Sequence, residues 1–276
     1  MIEALDAPYL TRALAAGALV AVPLGLLGCF VLLRDLAFLA HGAGVATFSG
    51  LVVGAAVPGL GPFAGAMAAA LAFSGLVSLG ERDRAVSGGA VTGVALAGSL
   101  ALGAVLVVAV DAGAVPVERL LFGSLLAVSG ADVARSALAA AMTVTVVGLA
   151  LPRLAATTFD REWAVPAGAH GRATDAALVA LVAIAVVCAL PTVGSLLAGA
   201  LLVVPAATAR LLSERLLPML AYAGSLSLLE MASGIVLARL LDLPPGTVVA
   251  TLGGAVFAAA AAGRAAAARL APEAAR

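Results

Sequence analysis

Long apolar stretches, separated by short polar ones, follow one another along almost the whole chain. Each is roughly 20 residues long, the length that a helix needs to cross the hydrocarbon core of a bilayer. The pattern therefore predicts an all-α, polytopic membrane protein with about nine transmembrane helices, within a range of eight to ten. The predicted spans are Ala13–Leu33, Leu36–Val57, Leu60–Leu79, Ala90–Val110, Val133–Leu151, Ala176–Leu190, Val193–Leu211, Leu217–Leu240 and Thr247–Gly263.

The boundary between the sixth and seventh predicted spans is the least distinct. Only Pro191, Thr192 and Gly194 interrupt the apolar sequence there. One long helix that is broken within the membrane is the alternative, and broken helices of this kind often border a transport pathway.

Composition excludes a water-soluble protein. Of the 276 residues, 63% are hydrophobic and 11% are charged, whereas soluble domains carry roughly 25% charged residues. All 15 basic residues are arginine and are matched by 15 acidic residues. This balance leaves no polybasic stripe, so a nucleic-acid partner is not expected. The two cysteines, Cys29 and Cys188, lie in apolar stretches and are interpreted as small core residues.

The distribution of arginine predicts the orientation, because cytoplasmic connections of membrane proteins are enriched in basic residues. An odd number of spans puts the termini on opposite faces. With the N-terminus outside and the C-terminus in the cytoplasm, eleven arginines lie inside and four lie outside. The four are Arg12, Arg119, Arg135 and Arg239, and we expect a multi-pass protein of the cell (plasma or inner) membrane.

Two connections are longer than the others. The outer one, residues 111–132, contains the apolar stretch Leu120–Val128, which is too short to span and is predicted to form an interfacial or re-entrant helix. The inner one, residues 152–175, is charged and contains Trp163, the only tryptophan. A passive connection needs only a few residues, so the length of this loop favours a docking element, with a passive loop as the alternative.

The chain has no recognisable catalytic motif, so we do not expect an enzyme. Without lysine it cannot form a phosphate-binding P-loop, so any ATP must be bound by another subunit. Ionisable residues inside spans are functional candidates: His41 as a cation ligand or proton-sensitive gate, and Glu230. Each has a structural alternative: a hydrogen bond from His41 to a carbonyl group, and a Glu230 carboxyl held by Ser227, Ser233 or another helix. Arg34 and Asp35, at a span end, are interpreted as structural, satisfied by water or by each other.

Several segments together resemble one family in order and spacing. Val193–Leu212 contains the signature Pro-Ala-Ala-Thr-Ala, with Pro205 and Thr208, and Thr158 to Glu162 precede it. Further matching segments are Ser99–Gly103, Leu121–Ser129 and Leu241–Pro244. The chain resembles the permease subunit of metal-type ABC importers, the ABC-3 family of zinc, manganese and iron transporters.

This resemblance implies a single permease domain over residues 1–276 that forms a homodimer, with the transport pathway between the two copies. Two ATP-binding subunits would dock at the cytoplasmic face, and an extracytoplasmic solute-binding protein would deliver a divalent transition-metal ion. The segment of Phe159, Asp160, Arg161, Glu162 and Trp163 would couple to the ATPase. No covalently bound cofactor is implied.

The chain departs from the family at the expected metal ligands in the second span. An Asp-x-x-x-His motif is usual there, and the aligned residues are His41 and Val45. Val45 cannot coordinate a metal, which leaves His41 as the metal candidate and Glu230 as a second pathway residue. Transport of a metal chelate or other small solute is therefore the main alternative. A secondary transporter using Glu230 as a proton site and a non-transporting scaffold also remain open.

Overall fold

The structure is a computed structural model that describes residues 8–80, 88–109, 121–124, 128–164 and 171–270. Every regular element in these ranges is a helix, as the apolar pattern predicts. The helices are α1 (Pro8–Leu33), α2 (Ala37–Ala56), α3 (Pro62–Gly80), α4 (Gly88–Ala109), α5 (Gly130–Phe159), α6 (Arg161–Ala164), α7 (Gly171–Val193), α8 (Ser195–Leu212), α9 (Leu216–Leu241) and α10 (Pro245–Leu270).

Within the described ranges, eight helices are long and apolar enough to cross a membrane. They are α1 to α5, α7, α9 and α10. Helix α8 is also apolar, but its apolar part, Leu197–Leu212, is shorter than the others. The prediction of a polytopic helical membrane protein is confirmed. The seventh predicted span, Val193–Leu211, corresponds to this shorter helix, and the other eight predicted spans correspond to the eight long helices.

Helices α7 and α8 are separated by one residue, Gly194, which has φ +84°. The backbone passes so close to another segment that a Cβ atom here would lie 2.2 Å from the carbonyl oxygen of Leu121. Only glycine meets both conditions, since the conformation is unfavourable for other residues and the space is absent. The sequence boundary that was least distinct is thus a sharp helix break.

Part of the predicted interfacial helix Leu120–Val128 packs against this break. Ser124 donates its backbone N–H to the carbonyl of Pro191 at 3.1 Å, and Gly123 has φ +76°. Leu120 and residues 125–127 lie outside the described residues. The interfacial helix therefore stays a prediction, and the described portion is an anchor for the α7–α8 junction.

Helix α1 lies in the core of the bundle, antiparallel to α9 and in contact with α8. A Cβ atom on Gly25 would lie 2.5 Å from the carbonyl oxygen of Ala223 in α9, and one on Gly28 would lie 1.9 Å from that of Leu202 in α8. These glycines let the backbones approach as small residues do in membrane helices generally. Cys29, on the same helix, and Cys188 are buried and free, as the sequence predicts.

A glycine seam joins α2 to α3. It consists of Gly50 and Gly54 on α2 and Gly61 and Gly65 beside or within α3. A Cβ atom on Gly50 would lie 2.3 Å from the Gly65 carbonyl oxygen, and one on Gly54 would lie 2.4 Å from that of Gly61. The two helices are therefore in direct backbone contact along this seam.

Arg34, Arg210 and Arg264, three of the arginines predicted to lie on one face, are found at one end of the described bundle. At Arg34, the ends of α1 and α5 meet the start of α7. The ends of α8 and α10 meet at Arg264, which donates to the carbonyl oxygens of Arg210 and Leu211. We call this the arginine-rich end. At the opposite end, Arg239 donates to the hydroxyl of Tyr9 at the start of α1.

Candidate functional site

His41 lies about one turn into α2, where this helix crosses α8. The crossing is close because α8 has Gly199 at the contact: a Cβ atom there would lie 2.5 Å from the Cα atom of His41 and 3.1 Å from its Nδ1. The His41 side chain is partly exposed. The sequence candidate for a cation ligand is therefore held at a helix–helix contact from which the imidazole reaches accessible space.

Val45, one turn further along α2, is 4% exposed and belongs to the apolar interior. The helix face on which the family's paired ligands would stand thus carries one imidazole and one aliphatic side chain. No group of three or more His, Cys, Asp or Glu residues that could hold a metal ion occurs among the described residues. A single copy of the chain therefore offers His41 as an isolated ligand in this part of the structure.

Ser195 is a polar residue at this crossing that the sequence did not single out. It is buried, its hydroxyl has no hydrogen-bond partner within the described residues, and it lies one helical turn before Gly199. Its carbonyl oxygen would lie 3.0 Å from a Cβ atom on Gly44 of α2. The sequence feature that could have identified Ser195 is its position directly after Gly194 at the helix break. A hydroxyl in the first turn after such a break lies beside backbone groups that have no partner within the helix.

Glu230 lies in α9 and is 3% exposed. Neither carboxyl oxygen has a hydrogen-bond partner among the residues described. Ser233, one of the residues considered as a partner, instead donates its hydroxyl to the backbone carbonyl of Leu229 at 2.5 Å. The Glu230 carboxyl group lies beside Gly253 of α10 and Val204 of α8. A Cβ atom on Gly253 would be 2.9 Å from Oε2 of Glu230 and 3.3 Å from Cγ1 of Val204. An unpartnered buried carboxyl is unfavourable for stability, which supports a role other than structural pinning.

His41 and Glu230 are not neighbours. His41 meets α8 at Gly199, whereas Glu230 meets it near Val204, and positions five apart lie on different faces of a helix. The two candidate pathway residues of one chain are therefore on different sides of α8. They do not form one binding site within a single copy.

The signature residues Pro205 and Thr208 lie in α8 just beyond the Val204 contact, toward the C-terminal end of the helix. Pro205 lies within the helix and is buried. Thr208, also buried, donates its hydroxyl to the carbonyl of Val204 at 3.0 Å. Such hydroxyl bonds to the preceding turn adjust the local helix geometry. The signature thus shapes the helix that contacts both His41 and Glu230.

The predicted coupling segment lies at the arginine-rich end, between α5 and α7. Helix α5 ends at Phe159, whose side chain is 64% exposed. Asp160 follows in a non-helical conformation, and its carbonyl accepts the N–H of Ala164 at 3.0 Å, which closes the one-turn helix α6. Asp160 and Glu162 are exposed. Arg161 and Trp163 are in α6, but their side chains lie outside the described part.

Arg34 has a partner different from the one expected. Its guanidinium pairs with Asp175 of α7 at 2.6 Å, not with the adjacent Asp35. It also binds the last turn of α5 through Thr157 and Thr158. The residue therefore stands at the base of the coupling segment, a place that its position in the sequence did not indicate.

Comparison with known proteins identifies the family to which this polytopic helical bundle belongs. Residues 6–264 match the ABC 3 transport family. The chain therefore belongs to this family of ABC transporter permeases, and it is a multi-pass protein of the cell membrane.

Similar proteins cover most of the chain. It is 29% identical over 256 residues to the manganese transport system membrane protein MntC of Halalkalibacterium halodurans, covering 93% of this chain and 87% of that protein. It is 27% identical over 249 residues to the manganese import system permease protein ScaB of Streptococcus parasanguinis, covering 90% and 88% of the two chains. The solved structure of PsaBC from Streptococcus pneumoniae, in complex with a Fab, has the same fold, with a TM-score of 0.84, 24% identity and coverage of 94% and 93%.

Proposed function

We propose that this chain is the membrane-spanning subunit of an ATP-driven importer of a divalent transition-metal ion. The observation that carries the proposal is the family match over residues 6–264. Exposure of Phe159, Asp160 and Glu162 at the arginine-rich end supports it, because an ATPase needs an accessible element to engage. This end is cytoplasmic in the proposed orientation, and the N-terminus is outside.

The assembly we propose has two copies of the chain with the pathway between them. Two ATP-binding subunits engage the coupling segments from the cytoplasm and hydrolyse ATP, and a solute-binding protein delivers the cargo from outside. His41 contacts the cargo. Because His41 and Glu230 lie on different sides of α8, Glu230 acts at a separate point of the pathway or on cargo held by the second copy.

Manganese is the first metal to test, because the similar proteins are named for manganese transport or import, followed by zinc and iron. Neutral imidazole binds all these divalent ions, but carboxylate oxygen is the preferred partner of manganese. A metal site with His41 therefore needs further ligands from the second copy or from bound water.

The alternative is transport of a metal chelate or other small solute through the same assembly. It is favoured by the replacement of the family's ligand pair with His41 and buried Val45. A chelate brings its own metal ligands, so the pathway needs an apolar lining and few coordinating groups.

Uptake into proteoliposomes tests the proposal directly. The permease is reconstituted with its ATP-binding subunit and its binding protein, and uptake of Mn²⁺, Zn²⁺ and Fe²⁺ is measured with and without ATP. ATP-dependent accumulation of any one of these ions supports the importer. If none accumulates, and a metal chelate does, the chelate alternative is correct.

A second variant set separates free ions from chelates. The double variant His41→Asp with Val45→His restores the family's ligand pair, and Val45→Ala is its control for altered packing. If the natural cargo is a free divalent ion, the double variant retains or gains uptake of Mn²⁺. If the cargo is a chelate, uptake of the chelate falls in the double variant but not in Val45→Ala.

A further inference from the structure

Arg34 joins three helices at the arginine-rich end. Its Nη1 donates to Oδ1 of Asp175 in α7 at 2.6 Å, and its Nε donates to the Thr158 hydroxyl at 2.8 Å. Its Nη2 donates to the Thr157 hydroxyl at 2.8 Å and to the Leu154 carbonyl oxygen at 3.2 Å, both in the last turns of α5. The side chain is 9% exposed, so these charge-assisted bonds are shielded from solvent and are stronger than surface pairs.

The two helices that Arg34 holds are those that flank the coupling segment. Thr158 immediately precedes Phe159, where α5 ends and the segment begins. Asp175 lies in the second turn of α7, which follows the segment. A displacement of the coupling segment relative to the bundle must therefore move or break the contacts of Arg34.

The backbone of Arg34 is in turn fixed to α2. It occupies the turn between α1 and α2, where Leu36 N–H bonds to the Val31 carbonyl at 2.9 Å and Asp35 N–H bonds to that of Leu32 at 3.2 Å. With Asp35 at φ +56°, these two bonds form a Schellman motif, a defined helix end. Helix α2 starts one residue after Leu36, and His41 lies about one turn into it.

We propose that Arg34 is a positioning residue that transmits movement of the ATPase-coupling segment to α2 and thereby to His41. The inference rests on the proposed function, since it presumes an ATPase bound at the coupling segment. It adds a physical connection between that segment and the candidate ligand, from the α5–α7 ends through one guanidinium and one rigid turn.

An arginine is required by the geometry of these contacts. Its planar guanidinium presents five N–H donors in a fixed arrangement, whereas the lysine ammonium presents three donors at one point. Acceptors on α5 and α7 surround the guanidinium on different sides. Lysine can keep the charge opposite Asp175 but cannot also reach both threonine hydroxyls and the Leu154 carbonyl. The positive charge also favours the C-terminal end of α5, where the helix dipole is negative.

The test measures coupling, not activity alone. Arg34→Gln, Arg34→Lys and Asp175→Asn are reconstituted with the ATPase and the binding protein, and metal uptake and ATP hydrolysis are followed in the same vesicles with Mn²⁺, Zn²⁺ and Fe²⁺. The matched control is Arg264→Gln. Arg264 is at the same end, but it is half exposed and bonds to α8 and to Glu214, not to α5 or α7.

We expect Arg34→Gln to lower the metal transported per ATP hydrolysed by about tenfold, within the usual range of coupling between two sites. ATPase co-purification should be unchanged, and Arg264→Gln should behave as wild type. Arg34→Lys should lie between the two. The double variant Arg34→Gln with Asp175→Asn should be no worse than Arg34→Gln alone, because both substitutions remove the same contact.

An unchanged transport-to-hydrolysis ratio in folded Arg34→Gln would overturn the inference. So would a loss of uptake and hydrolysis in equal proportion in Arg34→Lys and Asp175→Asn, which is the result of a merely structural role. The failure of the proposed function looks different: wild-type vesicles then show no ATP-dependent uptake, and the inference falls with it.

Discussion

Replacing Gly199 with alanine should separate helices α2 and α8 and displace His41. The added Cβ would lie 2.5 Å from the Cα atom of His41 and 3.1 Å from both its Cβ and its Nδ1. Because the closest contact is with the backbone, a change of side-chain rotamer cannot relieve it. The two helices must move apart by roughly 1 Å to restore ordinary van der Waals distances, which are about 3.5–4.0 Å.

The size of the effect follows from two opposing contributions. Inserting a methyl group into a packed interior costs about 1–3 kcal/mol, and replacing glycine by alanine within a helix gains about 1 kcal/mol. Gly148→Ala is the matched control, because a Cβ atom on Gly148 of α5 meets nothing within 4 Å. The helix contribution cancels between the two variants, so Gly199→Ala should be about 1–3 kcal/mol less stable than Gly148→Ala.

The assay is thermal unfolding of the purified proteins in detergent, together with ATP-dependent uptake in proteoliposomes. The Tm of Gly199→Ala should lie several °C below that of Gly148→Ala, and its uptake should fall with the displacement of His41. Adding His41→Ala to Gly199→Ala should not restore stability, since the 2.5 Å contact is with the backbone. Equal Tm values for Gly199→Ala and Gly148→Ala, or recovery of stability in the double variant, would refute the reasoning.

Three further predictions concern the candidate residues. His41→Ala should reduce uptake by about tenfold, the factor that ~1.4 kcal/mol of lost binding produces, and ATPase co-purification should show no change; loss of the ATPase would contradict this. The double variant Asp160→Arg with Glu162→Arg should abolish co-purification of the ATPase. Glu214→Arg, at a position 80% exposed at the same end, should not. If the double variant still co-purified with the ATPase, the coupling assignment would be excluded. Glu230→Met should raise Tm by removing an unpartnered buried carboxyl worth about 1–3 kcal/mol, with Glu214→Met as the neutral control; a lower Tm would indicate that the carboxyl has a stabilising partner.

The sequence predicted the helical architecture because the apolar stretches have the length of a bilayer crossing, a property of composition that needs no tertiary information. It also located the break between α7 and α8, since Pro191, Thr192 and Gly194 stand together in an otherwise apolar region. That Gly194 alone makes the break depends on the backbone of Leu121, more than seventy residues away, and no local pattern reports this.

The sequence identified which residues of the candidate site stand out, but not the residues that they contact. A histidine and a glutamate inside spans are unusual enough to be noticed, yet their placement on different faces of α8 depends on how α2, α9 and α10 pack around it. The contacts of Arg34 were likewise not predictable from the sequence. At a span end it looks like any arginine that reaches water, and its bonds to Thr158 and Asp175 arise only from the approach of α5 and α7.

The glycine seam between α2 and α3 has a mechanical consequence for transport. Gly50 and Gly54 touch the backbone of Gly65 and Gly61 with no side chain between them. Such a contact contains no rotatable bond, and dispersion contacts do not depend on ionic strength. Helices α2 and α3 should therefore move as one stiff hairpin, so that a small tilt of α2 near His41 is carried without attenuation to the α2–α3 turn at the opposite membrane surface.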